Sequence, residues 1–143
     1  MLTLIKPEQM RATLVAGLGC QRGCPADVML ELIESSLRVH GLELQDLCAL
    51  ASIDLKNNEP GLLELARRLR LPLTAFSAQQ LSSYEAQLTN RSLTAFEHTG
   101  CYGVAESAAL ALASRSGPAR LLIPRTNNRQ ATFALASTLL DSR

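Results

Sequence analysis

Short apolar runs alternate along the chain with stretches in which apolar residues recur every three or four positions. The runs lie at 13–16, 47–53, 73–76, 120–124 and 131–136. Runs of this length with few charges predict strands, and the long run at 47–53 predicts a parallel strand that is covered on both faces. The alternation predicts an α/β fold: a single-domain three-layer sandwich with a mostly parallel central sheet and an antiparallel C-terminal strand.

The helical stretches begin and end at recognisable residues. Pro25 and Pro60 suit the first turn of a helix, where the missing N–H is not needed. Gly41 follows the first amphipathic pattern and is placed to end that helix. Ser77 and Gln80 form the S-x-x-Q pattern of a capping box, which predicts that another helix begins there.

The second half of the chain is less regular. From 82 to 100 the periodicity weakens, and we expect short helix and loop there. The stretch 104–114 consists almost entirely of small residues, so the helix predicted there can pack closely against a sheet or a neighbouring helix.

Composition narrows the class of protein. The chain has 143 residues, 47% of them hydrophobic and 19% charged, which fits one globular domain with a short leader at 1–11. A net charge of +1 and 3% aromatic residues argue against a nucleic-acid-binding protein. No apolar run reaches the roughly 18 residues of a membrane span, and no signal peptide is evident. We therefore expect a cytoplasmic protein whose cysteines are thiols.

A glycine-rich stretch separates the first predicted strand from the first predicted helix. Gly17, Gly19 and Gly23 permit positive φ angles and close backbone approach, and Arg22 adds a positive charge. The following helix would present unpaired N–H groups and the positive end of its dipole. This arrangement predicts an anion-binding loop, although such a turn is also a common tight connection.

Other loops are predicted at the same edge, because ligands of open α/β sheets bind outside the carboxyl ends of the strands. Three such loops lie at 54–59, 77–80 and 124–129. They carry positive charge at Lys56, Arg125 and Arg129 and carboxylates at Asp54 and Glu59. Lys56 is one of two lysines in the chain. Taken singly, these residues also fit solvated loop charges.

Several familiar sites are not predicted. The glycine stretch does not fit G-x-G-x-x-G, and no Gly-Lys-Ser/Thr occurs, so nucleotide binding is disfavoured. Cys20 and Cys24 have an unusual spacing for zinc, and neither His40 nor His98 is near them in sequence, so we expect no metal site. A nucleophilic thiolate at Cys20 or Cys24 is a minor alternative, and Cys48 is expected to pack within a strand. Glu106 suits the first turn of its helix without any ligand.

The motifs together resemble a known family. They are the segments 17–23, 51–62, 76–77, 103–110 and 122–125 with 131–134. In order and spacing they are similar to the CobE/CbiG C-terminal domain family of cobalamin biosynthesis, in its stand-alone CobE type. The resemblance implies a role in making the corrin ring. The longer CbiG proteins open the lactone ring of a cobalt-precorrin. The family commonly has a lysine where Arg125 stands, so charge is kept but Schiff-base chemistry is not.

Three functions remain open at this point. The first is binding of a precorrin or hydrogenobyrinic acid intermediate, with no cofactor, through the loops and cations of the edge. The residues proposed to bind it are Gly17, Gly19, Arg22, Gly23, Ser77, Gly103, Glu106 and Arg125. The second is a hydrolase or lyase in which Asp54 or Glu59 is the general base and Lys56 or Arg22 stabilises the oxyanion. The third is a non-catalytic partner of a precorrin methyltransferase.

Overall fold

A five-stranded sheet organises the chain. Its strands are β1 (Thr13–Cys20), β2 (Ala49–Ile53), β3 (Leu73–Phe76), β4 (Ala119–Asn127) and β5 (Ala131–Thr138). This computed structural model describes residues 13–54, 59–89, 91–100 and 103–138. The strand order is β3-β2-β1-β5-β4, with β1, β2 and β3 parallel and β5 antiparallel to both of its neighbours. The predicted α/β architecture with a mostly parallel sheet and an antiparallel C-terminal strand is therefore confirmed.

Helices cover both faces of the sheet. They are α1 (Ala26–Val39), α2 (Pro60–Leu69), α3 (Ala78–Ser82), α4 (Leu93–Thr99) and α5 (Val104–Ala113). One apolar core joins α1 and α2 to one face of the sheet, and a second core joins α5 and Leu81 of α3 to the other. No helix among the described residues is long and apolar enough to cross a membrane.

Strand β1 is buried on both faces, as the centre of such a sheet must be. Leu14, Ala16 and Leu18 belong to the core beneath α1 and α2, whereas Val15 belongs to the core beneath α5. This alternation is the period of two that a strand imposes on its side chains.

The first strand is longer than predicted, and this changes the meaning of its glycines. The sequence suggests a strand that ends at Ala16 followed by a loop, but β1 continues to Cys20, so Gly17 and Gly19 lie in the sheet. A Cβ on Gly17 would lie 1.9 Å from the carbonyl oxygen of Ala105, and one on Gly19 would lie 2.7 Å from Oγ1 of Thr132. Gly17 therefore lets α5 pack closely on β1. The close packing predicted for this small-residue helix is confirmed.

Other boundaries differ by a few residues. Strand β2 begins at Ala49, so the prediction that Cys48 packs within a strand is wrong: Cys48 precedes the strand and is exposed. Strand β4 continues to Asn127, through Arg125 and into the predicted turn, because it pairs with β5 across two irregularities in register. The predicted start of α2 at Pro60 and the capping box of α3 are confirmed. Gly41, with φ of 73°, ends α1 as predicted.

Candidate functional site

The carboxyl edge of the sheet brings the predicted loops together. The loop after β1 faces the start of α2, since the N–H of Gly23 donates a hydrogen bond of 2.8 Å to Oε2 of Glu59. Gly23 has a φ of 81°, a left-handed conformation that favours glycine. The prediction of positive φ holds at Gly23, whereas at Gly17 and Gly19 no left-handed conformation occurs. Two loops 36 residues apart in sequence thus meet through one carboxylate.

Glu59 is held inside this junction. Its side chain is 9% exposed, and it does not cap its own helix but reaches across to Gly23. A buried carboxylate needs such donors to offset the cost of leaving water. The protein's own carboxylate therefore uses one of the N–H groups that the sequence had suggested for an external anion.

A second contact fixes the same junction. A Cβ on Gly61 would lie 1.9 Å from the carbonyl oxygen of Cys24, so the start of α2 rests directly on the loop before α1. This role of Gly61 was not predicted from the sequence. The available signal was a glycine within a helix, which costs helix stability and usually has a packing reason.

Glu106 holds the other side of the edge. This residue is 1% exposed and lies in the first turn of α5. It accepts hydrogen bonds from the N–H of Thr89 at 2.8 Å and its hydroxyl at 2.5 Å. The N–H of Arg125 is a third donor, at 2.8 Å. Glu106 thus fixes Thr89 and the backbone of Arg125, while its direct contact with a ligand stays a prediction. No sequence pattern indicated Thr89.

The positive charges of the edge remain accessible. Arg22 and Arg129 are exposed and Arg125 is half-buried. Within the described part of the chain, none of the three forms an ion pair; the ion pairs join Arg67 to Glu64 and Arg68 to Asp27.

The remaining candidate residues also lie at this edge, either directly after a strand or at the beginning of a helix. Asp54 is exposed directly after β2. Ser77 is half-buried, and its side chain accepts a hydrogen bond of 3.1 Å from the N–H of Gln80 as the cap of α3. Gly103 is buried at the start of α5. Lys56 lies outside the described residues.

The cysteines near the edge are thiols. Cys24 is buried, and its Sγ lies 3.7 Å from the carbonyl oxygen of Pro25, to which it donates. Burial, and then the charge of Glu59, raise the pKa of the Cys24 thiol. The alternative of a reactive thiolate at Cys24 is therefore disfavoured, because a nucleophilic cysteine needs a lowered pKa.

Metal ligands do not cluster in the described residues. No group of three or more His, Cys, Asp or Glu side chains there could hold a metal ion. The groups available for a ligand at this edge are arginine side chains, backbone N–H groups and the carboxylate of Asp54. This set suits an organic anion.

The fold and this edge define a class: a doubly covered α/β domain with cationic loops at the carboxyl ends of its strands. The family model described as Cobalamin synthesis G C-terminus matches residues 14–136. The chain belongs to that family, and it is a protein of cobalamin biosynthesis.

Individual relatives agree with this assignment. The chain is 39% identical to protein CobE of Sinorhizobium sp over 125 residues, which cover 87% of this chain and 80% of CobE. Its fold is similar to a crystal structure of CobE, a protein from the cobalamin (vitamin B12) biosynthetic pathway. That match has a TM-score of 0.88 and 43% identity and covers 99% of this chain and 98% of the other.

A longer relative is also similar. The chain is 35% identical over 122 residues to the cobalt-precorrin-5A hydrolase of Priestia megaterium, covering 85% of this chain. The match covers 32% of the hydrolase, so this chain corresponds to about a third of that protein.

Proposed function

We propose that the protein binds a corrin-ring precursor of the precorrin or hydrogenobyrinic acid type through the carboxylates on the periphery of its ring. The observation that carries this proposal is the electrostatic arrangement of the carboxyl edge. Both buried carboxylates of the described edge, Glu59 and Glu106, are bound by protein donors. Arg22 and Arg125 have no protein carboxylate as ion-pair partner among the described residues.

The chemistry of the ligand suits this edge. Corrin precursors carry several acetate and propionate carboxylates around a large apolar ring. Arginine binds carboxylates with two parallel N–H···O bonds, and such charge-assisted bonds are stronger than neutral ones. The half-buried position of Arg125 would strengthen its bond further, because the local dielectric is lower than in water.

Arg125 is also positioned before a ligand arrives. Its backbone N–H is bound to Glu106, which is itself fixed in the first turn of α5. A side chain on a fixed backbone loses less conformational freedom on binding than one on a mobile loop. The proposal therefore assigns Arg125 a central place in the site and Glu106 the role of holding it.

A visible-absorbance titration tests the proposal. Purified protein is titrated with metal-free corrinoids that carry free carboxylates, and the ligand is then recovered for mass analysis. We expect a saturable spectral shift and an unchanged ligand mass. Arg22→Ala and Arg125→Ala should each weaken binding about tenfold or more, since a hydrogen bond to a charged group contributes about 1.5–3 kcal/mol. No spectral shift with any corrinoid would contradict the proposal and leave the role of a protein partner for a precorrin methyltransferase.

Hydrolase or lyase activity is a second candidate, favoured by the similarity to the cobalt-precorrin-5A hydrolase. Asp54 is the exposed carboxylate at the edge and is the better placed general base, whereas Glu59 is buried against Gly23. A changed ligand mass in the titration would support this candidate. Asp54→Ala should then abolish turnover while binding persists; under the binding proposal the same change should leave affinity nearly unaltered.

A further inference from the structure

We propose that Arg129, at the turn between β4 and β5, acts together with Arg22 as a clamp for neighbouring carboxylates of the ligand. This inference rests on the proposed function and deepens it, because it names a residue that selects carboxylate-bearing ligands. Its basis is the way in which the structure fixes the turn of Arg129 beside the loop of Arg22.

The turn is held by its own side chain. Oδ1 of Asn128 accepts hydrogen bonds from the N–H of Gln130 at 2.9 Å and the N–H of Ala131 at 2.8 Å. In the sequence, Arg129 lies between Asn128, which accepts these bonds, and Gln130 and Ala131, which donate them. Its backbone is therefore fixed, and an asparagine side chain is well suited to this role in turns.

The turn is also tied to the loop after β1. The N–H of Gln21 donates a 2.8 Å hydrogen bond to the carbonyl oxygen of Gln130. Nδ2 of Asn128 donates a longer one, of 3.4 Å, to the carbonyl oxygen of Val28 in α1. The antiparallel register of β1 and β5 pairs Cys20 with Ala131, and the bond from Gln21 to Gln130 continues it. Arg22 and Arg129 are the next residues of these two segments, so their backbones are neighbours at the edge.

Two acidic residues near the loop of Arg22, Asp27 and Glu59, have other partners. Oδ1 of Asp27 in α1 lies 2.7 Å from Nη1 of Arg68, and Glu59 accepts the N–H of Gly23. Arg22 and Arg129 are both exposed, and within the described residues neither forms an ion pair. A ligand carboxylate that reaches both guanidinium groups would give each of them the charged partner that it lacks among the described residues.

The matched control lies on the same strand. Arg120 is exposed near the start of β4, at the opposite end of the strand from the turn. Arg120→Ala removes the same charge as Arg129→Ala from the same strand, so any effect of net charge on affinity is common to both variants.

Affinities are measured by absorbance for the wild type, R129A and R120A with a corrinoid bearing free carboxylates and with one whose carboxylates are all amides. Circular dichroism verifies that each variant is folded. We expect R129A to weaken binding of the free acid about tenfold and to lower its preference over the amide by a similar factor, and we expect R120A to match the wild type. Equal affinities of R129A and R120A for the acid, with binding by the wild type intact, would overturn the clamp alone. Absence of binding by the wild type would overturn the proposed function as well.

Discussion

At the scale of single residues, two buried carboxylates shape the described edge. Glu59 and Glu106 are each held by N–H or O–H donors rather than by an arginine. Such donors satisfy the oxygens without using up the cations. As a result, the arginines of the edge remain available for the carboxylates of a ligand.

Glu106→Gln should destabilise the fold. The amide group of the variant has one acceptor oxygen, so it cannot replace both Oε1, which accepts the N–H of Thr89, and Oε2, which accepts the hydroxyl of Thr89 and the N–H of Arg125. At least one donor beside the buried carboxyl group therefore loses its acceptor. Leaving such a group unsatisfied costs about 1–3 kcal/mol. Urea denaturation measures this as a fall in the free energy of unfolding. Glu31→Gln, which changes an exposed residue of α1, is the control and should have almost no effect. Equal stabilities of the two variants would contradict the role of Glu106.

Cys24 should resist alkylation in the folded protein. Its side chain is buried and its pKa is raised, whereas Cys48 is exposed. Only the thiolate reacts with iodoacetamide, so Cys48 should be modified first near neutral pH and Cys24 only after unfolding. Peptide mass spectrometry identifies the modified site. Equal rates at Cys24 and Cys48 in the native protein would contradict the buried thiol.

The same pKa shift predicts a pH dependence of stability. The pKa of Cys24 is higher in the folded protein than in the unfolded chain, so the unfolded chain loses this proton first as the pH rises. The contribution of the Cys24 thiol to the free energy of unfolding is therefore constant at pH values below the ordinary pKa range of thiols. It falls as the pH rises through and above that range. Urea denaturation of the wild type between pH 7 and 10 should show a steeper decline than that of Cys24→Ser. Parallel declines would be evidence against the shift.

Contacts between residues that are far apart in the sequence could not be predicted from it. Glu59 was a candidate from its loop, but its partner Gly23 lies 36 positions away and its spacing gives no sign of that bond. Nothing in the sequence indicated the contact of Thr89 with Glu106, because a threonine in an irregular stretch can equally well face solvent or bind a buried carboxylate. The local capping box of Ser77 and Gln80 was predictable, since both partners lie within one helical turn.

At the scale of elements, the contact between β1 and α5 sets the geometry of the edge. The small residues of α5 allow its backbone to approach Gly17 closely. This approach places the first turn of α5, with Glu106, beside the end of β4. The packing of one helix against one strand therefore positions Arg125.

Gly17→Ala should be strongly destabilising. A Cβ there would lie 1.9 Å from the carbonyl oxygen of Ala105, and backbone atoms cannot move aside without shifting α5. Overpacking of this kind costs typically about 1–3 kcal/mol or more. Gly19→Ala is the matched control: its nearest contact is the side-chain oxygen of Thr132, at 2.7 Å, which rotation can relieve. Thermal denaturation should give a lower Tm for Gly17→Ala than for Gly19→Ala. Indistinguishable Tm values would refute the close approach.

The existence and order of the elements could be predicted, but the end of β1 could not. Apolar runs and caps indicate where strands and helices begin. A glycine in such a run is compatible both with a loop and with a strand beneath a close helix. The choice at Gly17 depended on Ala105, which lies on another element. For the same reason β4 extended to Asn127, since its pairing with β5 overrode the local turn signal.

At the scale of the whole molecule, three arginines without an ion-pair partner among the described residues lie at one end of the sheet. Arg22, Arg125 and Arg129 surround the carboxyl edge, whereas a cleft of about 600 Å³ near the end of α1 is lined by Glu34, Arg38 and Glu43, among other residues. Because two of these three side chains are negatively charged and one is positively charged, that cleft is unsuitable for an anionic ring. We therefore propose that a ligand binds at the carboxyl edge, even though a sizeable cleft lies elsewhere.

The measurement that tests this most directly is an NMR titration of the ¹⁵N-labelled protein with a metal-free corrinoid that carries free carboxylates. We expect the amide signals of residues 21–24, 103–106 and 125–130 to shift together and to saturate at one equivalent of ligand. The signals of residues 41–45, at the other cleft, should stay in place. Shifts confined to 34–45, or no saturable shifts at all, would contradict ligand binding at the carboxyl edge.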